Sequence, residues 1–205
     1  EQIERIEITG DSAVTLANVG QWDTTGDADT NTDLVLDAST LTGNLTADIS
    51  NASASSDLTA SITGGSGQNR LYVADQDVVT SVTAGAGVRD SLTVQSISGQ
   101  DVDLRDGVGI ETLNLVASQN GSATGWTADL TNGGFETVTL DNQAGGAMTA
   151  TLEEMNGQSV SIRSQGFDAG NGNPVTTAVG SITLNVAQAD DVVGGTMDIE
   201  LGHAT

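Results

Sequence analysis

One short stretch of this sequence has a residue spacing that could hold a metal ion. Residues 64–72 read GGSGQNRLY, which has the form of the calcium-binding nonapeptide G-G-x-G-x-D-x-U-x, where U is a large apolar residue. Glycine permits the left-handed backbone of such a turn, and the exposed carbonyls, together with a carboxylate, suit a hard cation such as Ca²⁺. Asn69 stands in the place of the Asp. This turn is therefore either a weakened calcium site or mainly architectural.

Two related turns occur at the same phase of the sequence. Residues 85–92 repeat the pattern with one inserted residue and carry Asp90, and residues 107–113 carry Glu111 in the acidic place. Asn69, Asp90 and Glu111 each precede the first apolar residue of a predicted strand by two positions. The three copies predict a shared turn with Ca²⁺ as its cofactor. The alternative is a set of structural turns without metal.

Two further acidic segments offer candidate calcium ligands. Residues 27–33 read DADTNTD and place oxygen ligands at alternate positions, as at the start of an EF-hand loop. The loop needs a glycine at its sixth position and a glutamate at its twelfth, and here Thr32 and Ala38 stand in those places. Residues 101–107 read DVDLRDG, and their alternative is a solvated acidic strand face. The candidate ligands in these two segments are Asp27, Asp29, Asn31, Asp33, Asp101, Asp103 and Asp106.

Residue types that carry catalysis are scarce. The chain has one histidine, His203, and no cysteine, which argues against zinc ligation and against a Ser-His-Asp triad. Carboxylate pairs could serve a glycosidase, but a sugar cleft usually has clustered aromatic residues, and only five are present. We therefore expect no enzyme, with a carbohydrate-active enzyme as the weakest alternative.

The net charge of −23, from 28 acidic and 5 basic residues, excludes several partners. Such a chain repels the phosphates of nucleic acids and anionic membrane surfaces. No apolar run approaches the ~18 residues of a membrane helix, so we expect no membrane insertion. A field this negative attracts cations and strains the compact state by self-repulsion. Without disulfides, stability must come from repeated packing, metal ions or neighbours in an assembly.

Short runs of alternating apolar and polar residues predict strands along most of the chain. The segment GIETLNL at residues 109–115 recurs as GFETVTL at residues 134–140. One set of apolar pairs recurs at intervals of about 21–25 residues: Leu71/Val73, Leu92/Val94, Leu113/Leu115, Val138/Leu140, Val160/Ile162 and Leu184/Val186. A second set lies between them: Val79/Val82, Val102/Leu104, Trp126/Leu130, Met148/Leu152, Val175/Val179 and Met197/Ile199.

One period thus holds two short strands and two turns, which is typical of a solenoid. We predict an all-β fold, a right-handed parallel β-solenoid with irregular coils of about 20–25 residues. The repeat region would cover residues 36–205, and residues 1–35 would be a cap or the edge of a preceding domain. β-Sandwich domains are the alternative, because closely spaced strands and turns fit them too. The scarcity of aromatic residues favours the solenoid.

Several segments resemble large bacterial surface-layer and RTX-type proteins with beta-strand repeats. They are ITGGSGQNRL at residues 62–71, AGAGVRDSLTV at residues 84–94, and the IETLNL and FETVTL strands. The resemblance covers roughly residues 40–190. It implies a protein of a Gram-negative bacterium that is exported by a type I secretion system and assembled outside the cell with calcium. The turns here are degenerate relative to that pattern.

These observations lead to one main functional expectation and one alternative. The chain is expected to be a structural, self-assembling extracellular segment of a bacterial surface layer, stabilised by calcium and located at the cell surface. Its partners would be copies of itself in a lattice or filament, with cell-surface polysaccharide as a second candidate. The alternative is a stalk or ligand-binding module of an RTX-type adhesin.

Overall fold

A computed structural model describes fourteen segments of the chain, and all of its regular elements are strands. The described residues are 5–17, 34–49, 60–74, 79–96, 102–104, 107–117, 124–130, 134–142, 148–155, 158–164, 166–167, 174–175, 182–188 and 198–202. Across these residues there is no helix, and hence none long and apolar enough to cross a membrane. The expected all-β class is confirmed.

The strands form three parallel sheets and one small antiparallel pair. Sheet A contains, in spatial order, β1 (Arg5–Gly10), β3 (Leu34–Leu41), β5 (Ala60–Thr63), β7 (Val79–Thr83) and β10 (Gly107–Val108). Sheet B contains β19 (Asp198–Gly202), β15 (Ser159–Ser164), β13 (Thr137–Asn142), β11 (Thr112–Ala117), β8 (Ser91–Ser96), β6 (Asn69–Ala74), β4 (Leu45–Asp48) and β2 (Val14–Leu16). Sheet C contains β18 (Ile182–Gln188), β14 (Met148–Met155), β12 (Thr124–Asp129) and β9 (Val102–Leu104). The antiparallel pair is β16 (Gly166–Phe167) and β17 (Pro174–Val175).

Successive strands alternate between sheets. The chain moves back and forth between sheets A and B as far as β8, and between sheets B and C from β11 to β15. Parallel neighbours need a crossover connection, and here at least one strand of another sheet lies between them along the chain. Neighbouring strands in one sheet are therefore one sequence repeat apart, as the in-phase apolar pairs predicted.

The register of sheet B places like residues above one another. Leu92 pairs with Leu71 on one side and with Leu113 on the other, and the column continues through Val138 to Val160. All five side chains are at most 1% exposed. In β11 buried and half-buried residues alternate along the strand, which is the period of two that the sequence showed. The predicted alignment of the first five pairs is confirmed.

The predicted second set does not form one stack, because Val82 pairs with Gly107 in sheet A whereas Val102 pairs with Trp126 in sheet C.

The predicted alignment of the first set is wrong after Val160. The period places Leu184 in the same set as Val160, but Leu184 pairs with Ala150 of sheet C. The residue that pairs with Val160 is Ile199. The antiparallel pair β16 and β17 lies between β15 and β18 and lengthens this repeat. A prediction that assumes a constant period therefore puts Leu184 in the set to which Ile199 belongs, and Ile199 in the other set.

The core is a thin stack of aliphatic side chains. The cluster of buried residues runs from Ile8 to Val160, and Phe135 is the one aromatic side chain in its described part. Within the described residues none of the three sheets closes on itself, because each end strand pairs with one neighbour. β1 and β2 pair with β3 and β4. Residues 18–33 lie outside the described residues, so the domain boundary at residues 35 and 36 stays a prediction.

Glu154 marks an irregularity in β14 that can be tested by mutation. Its φ is 57°, and the pairing of β14 with β18 shifts between Leu152 and Met155. A left-handed backbone costs a non-glycine residue about 1–2 kcal/mol. We expect Glu154→Gly to raise the free energy of unfolding in urea by about 1 kcal/mol.

Glu153→Gly is the matched control for this substitution. It removes the same negative charge from the neighbouring position, where the backbone is not left-handed. We expect this variant to lose about 0.5–1 kcal/mol, because glycine adds backbone freedom to the unfolded chain. Equal changes in the two variants would show that strain at Glu154 is not the cause.

Candidate metal site in the glycine turns

Asn69 is fully buried and holds its own turn together. Its Oδ1 accepts a hydrogen bond from the backbone N–H of Gly65 at 3.0 Å. Its Nδ2 lies 3.1 Å from the Gly65 carbonyl, 2.9 Å from the Gly67 carbonyl and 2.6 Å from the Ala84 carbonyl. The Gly65 N–H fixes which side of the amide is oxygen, because only an acceptor can face it. The side chain is thus a donor to three backbone oxygens.

Asp90 lies one repeat further along and is also fully buried. Its Oδ1 accepts the backbone N–H of Asn69 at 2.6 Å. Its Oδ2 is buried and has no hydrogen-bond partner among the described residues. Burial raises the pKa of Asp90, hydrogen bonds from Asn69 oppose that rise, and the charge of Glu111 adds to it. Asp90 is therefore the position in the turns where a positive charge, or a proton, is needed most.

Glu111 continues the same ladder in the next repeat. Its Oε2 accepts the backbone N–H of Asp90 at 2.6 Å, so each acid binds the main chain of the repeat before it. The backbone is joined in the other direction as well, since the N–H of Thr112 donates to the Asp90 carbonyl at 3.0 Å. The sequence prediction that Asn69, Asp90 and Glu111 stand in phase is confirmed by these contacts.

The glycines stack because the backbones of consecutive turns touch. A Cβ on Gly85 would lie 2.4 Å from the Gly65 carbonyl oxygen, and a Cβ on Gly87 would lie 2.3 Å from the Gly67 carbonyl oxygen. Both distances are too short for any side chain. Gly85 also has a left-handed backbone, with a φ of 91°. The G-x-G spacing therefore serves close stacking of the turns, whether or not metal is present.

The third turn differs from the prediction. The residue that stacks on Gly85 is Gly109, not Gly107, and Gly107 belongs to β10. Only Ile110 separates Gly109 from Glu111, and Ile110 is fully buried. The turn at residues 134–136 has the same form, with a left-handed glycine, the buried Phe135 and an exposed glutamate. Among the described turns there are thus two kinds, a wide one with a buried amide or acid and a tight one with a buried apolar residue.

The remaining predicted metal ligands are not brought together by the described structure. Asp27, Asp29, Asn31, Asp33, Asp101 and Asp106 lie outside the described residues. Asp103 lies in β9, where its backbone pairs with Thr127. In the part of the chain that the structure describes, no group of three or more His, Cys, Asp or Glu side chains could hold a metal ion. Calcium binding stays a prediction.

A shallow groove lies on sheet B near β2. Its volume is about 180 Å³, and the residues lining it come from three neighbouring repeats. Arg70 borders it and is exposed, with its guanidinium 3.4 Å from the Gln68 side-chain oxygen. The lining residues are Ala13, Val14, Thr15, Asn44, Leu45, Thr46, Gln68 and Arg70.

Comparison with known proteins gives no identity for this fold or for the turns. No protein-family model, no curated protein and no solved structure matches the chain.

Proposed function

We propose that this chain is a structural, self-assembling segment of an extracellular bacterial surface layer, folded as a right-handed parallel β-solenoid with irregular coils. The observation that carries the proposal is the eight-stranded parallel sheet B, in which neighbouring strands are one repeat apart and pair in register. A β-sandwich would have antiparallel sheets. Parallel crossovers are right-handed in nearly all proteins, which supports the proposed hand.

Self-association is part of this proposal, and the end strands of sheet B support it. Within the described residues β2 and β19 each pair with one neighbour, and an unpaired strand edge is a template for another chain. The proposed partner is a further copy in a lattice or filament. A net charge of −23 opposes such contacts, so cations must screen or bridge the copies. Calcium is the proposed cation, and export by a type I system to the cell surface is part of the same proposal.

The proposal is tested on the full chain by thermal melting and light scattering. Samples contain calcium, magnesium or a chelator, at ionic strength matched with sodium chloride. We expect calcium to raise the melting temperature and to produce large assemblies beyond the effect of ionic strength alone. If chelation changes neither stability nor assembly, the calcium part is wrong. If the chain stays monomeric in calcium at high concentration, the lattice is wrong and a stalk is favoured.

The groove beside Arg70 favours one alternative, a ligand-binding module of an RTX-type adhesin. A polar groove lined by hydroxyl, amide and guanidinium groups can form hydrogen bonds to the hydroxyls of a neutral saccharide. We would measure retention of the chain on immobilised neutral polysaccharide and compare Arg70→Ala with Arg163→Ala as a charge-matched control. This alternative requires that Arg70→Ala lose retention and that Arg163→Ala keep it. It is wrong if the unmodified chain is not retained.

A further inference from the structure

Three backbone carbonyl oxygens converge on one point in the turn of residues 64–69. They belong to Gly65 and Gly67 of the same turn and to Ala84 of the following repeat, and the point is the Asn69 Nδ2 atom. Carbonyl oxygens that point at one another repel, so such a cluster needs either a cation or N–H donors at its centre. Here the two protons of one amide group are shared among the three oxygens.

We propose that the side-chain amide of Asn69 occupies the place of a cation in this turn. The amide holds the three carbonyl oxygens together without metal, and Asn69 is the residue that makes the turn independent of metal. The inference goes beyond the proposed function, because it holds whether or not calcium binds elsewhere in the chain. Its support is geometric. The amide is fully buried, and its orientation is fixed by the hydrogen bond from Gly65 to Oδ1.

The next repeat shows what happens when an acid stands at this position. Asp90 is as deeply buried as Asn69, and one of its carboxylate oxygens has no partner among the described residues. Every polar atom of the Asn69 side chain has one. The amide and the acid have nearly the same shape, so the difference is one of donor and acceptor chemistry. The residue type at this position therefore decides whether all polar side-chain atoms there are hydrogen-bonded by the protein alone.

A single substitution should convert the turn into a metal site. In Asn69→Asp a carboxylate oxygen would face three carbonyl oxygens at the 2.6–3.1 Å now spanned by the amide. Those four oxygens would repel one another unless a cation lay among them. Calcium binds oxygen at about 2.3–2.6 Å with six to eight ligands, so the carbonyls need to move by only a few tenths of an ångström, and water can complete the shell.

The experiment compares melting temperatures of the full chain and its variants in calcium and in chelator. Asn69→Ala should lose the same number of degrees in both, because no ion is lost with the amide. Asn69→Asp should melt far lower than the unmodified chain in chelator and recover part of the loss in calcium. Asn114→Asp is the control: it adds the same charge at a half-buried position where Asn114 bonds Thr93. It should show no extra response to calcium.

Two outcomes of this experiment would overturn the inference. One is that Asn69→Ala abolishes a calcium-dependent rise in melting temperature, since Asn69 would then be a calcium ligand. The other is that Asn69→Asp responds to calcium no more than Asn114→Asp does. If the melting temperature of the unmodified chain does not respond to calcium at all, the calcium part of the proposed function is wrong. The inference is then judged from the melting temperatures of Asn69→Ala and Asn69→Asp alone.

A second measurement needs no stable variant. In ¹⁵N-labelled protein, the side-chain N–H₂ signals of Asn69 should exchange slowly with solvent, since both protons are buried and bonded. They should keep their positions when chelator is replaced by calcium. Assignment uses selective labelling of asparagine and contacts to the Ala84 region. A shift of these signals on addition of calcium, while the other side-chain amide signals of the chain keep their positions, would show that the ion enters the turn and would overturn the inference. Broadening of all signals together reports assembly and is avoided by recording the spectra at a concentration where light scattering shows no assembly.

Discussion

Asp90→Asn is expected to stabilise the protein at neutral pH in chelator by about 1–3 kcal/mol, the usual cost of a buried polar group without a partner. The carboxylate of Asp90 is fully buried, and its Oδ2 lacks a partner within the described structure. Asparagine keeps an oxygen for the N–H of Asn69 and replaces the second oxygen with a donor. Asn69 shows, one repeat earlier, that carbonyl oxygens are available to such a donor in a wide turn.

The pH dependence of this gain has a definite sign. Burial, which is the largest cause, raises the pKa of Asp90 above its ordinary value of 3.8. A raised folded pKa means that the folded state binds the proton more tightly than the unfolded state does. The ionised acid therefore costs stability at high pH, and this cost falls as the pH drops through the folded pKa. The advantage of Asp90→Asn should shrink on acidification and vanish below the unfolded pKa.

Urea unfolding of both proteins across the acid range measures this difference directly. Comparing the two proteins at each pH cancels the contributions of other carboxylates to the pH dependence of stability. Asp37 is one of these, because hydrogen bonds from Ser39 and the nearby Arg5 lower its pKa. Its contribution to that dependence has the opposite sign to that of Asp90. Asp48→Asn, at a half-buried acid in the same sheet, controls for the change in net charge. A loss of stability in Asp90→Asn that is found only when calcium is present would instead identify Asp90 as a ligand.

The sequence predicted the strand stack because period and register are visible in it. Leu92 and its equivalents recur at a nearly constant interval, and parallel strands in register must place them in one column. The insertion of β16 and β17 carries no such signal, since two-residue strands have no periodicity to read. For that reason a constant period places Leu184 in the wrong set. Whether the coils form a complete solenoid remains a proposal.

The ladder of polar side chains was predicted in position but not in role. Asn69, Asp90 and Glu111 could be placed in phase from the glycine spacing, since that spacing reflects stacking of the turns. What each side chain binds depends on which carbonyl oxygens converge on it. Three carbonyl oxygens contact the Asn69 amide, and two of them lie in its own turn while the third comes from the next repeat. Such contacts between repeats have no signature in a single motif. The same holds for the tight turns, where Ile110 and Phe135 read as ordinary strand residues.

Leu92→Ala is expected to destabilise the protein strongly. Leu92 is fully buried between Leu71 and Leu113 at the centre of sheet B. Removing a buried leucine side chain costs about 2–5 kcal/mol, because the cavity closes only in part. That is a large share of the roughly 5–15 kcal/mol by which most domains are stable. In a stack where each repeat contacts only its neighbours, the cavity also weakens both adjoining interfaces.

Urea unfolding separates two consequences of this cavity. A lower midpoint with an unchanged slope means that the whole stack unfolds together and is less stable. A lower slope means that the stack has split at β8 into parts that unfold separately, as weakly coupled repeats do. Val88→Ala, at a side chain that is 75% exposed four residues earlier, is the control and should change stability by at most about 0.5 kcal/mol. If Leu92→Ala cost no more than this control, the aliphatic column would not be the element that holds the sheets together.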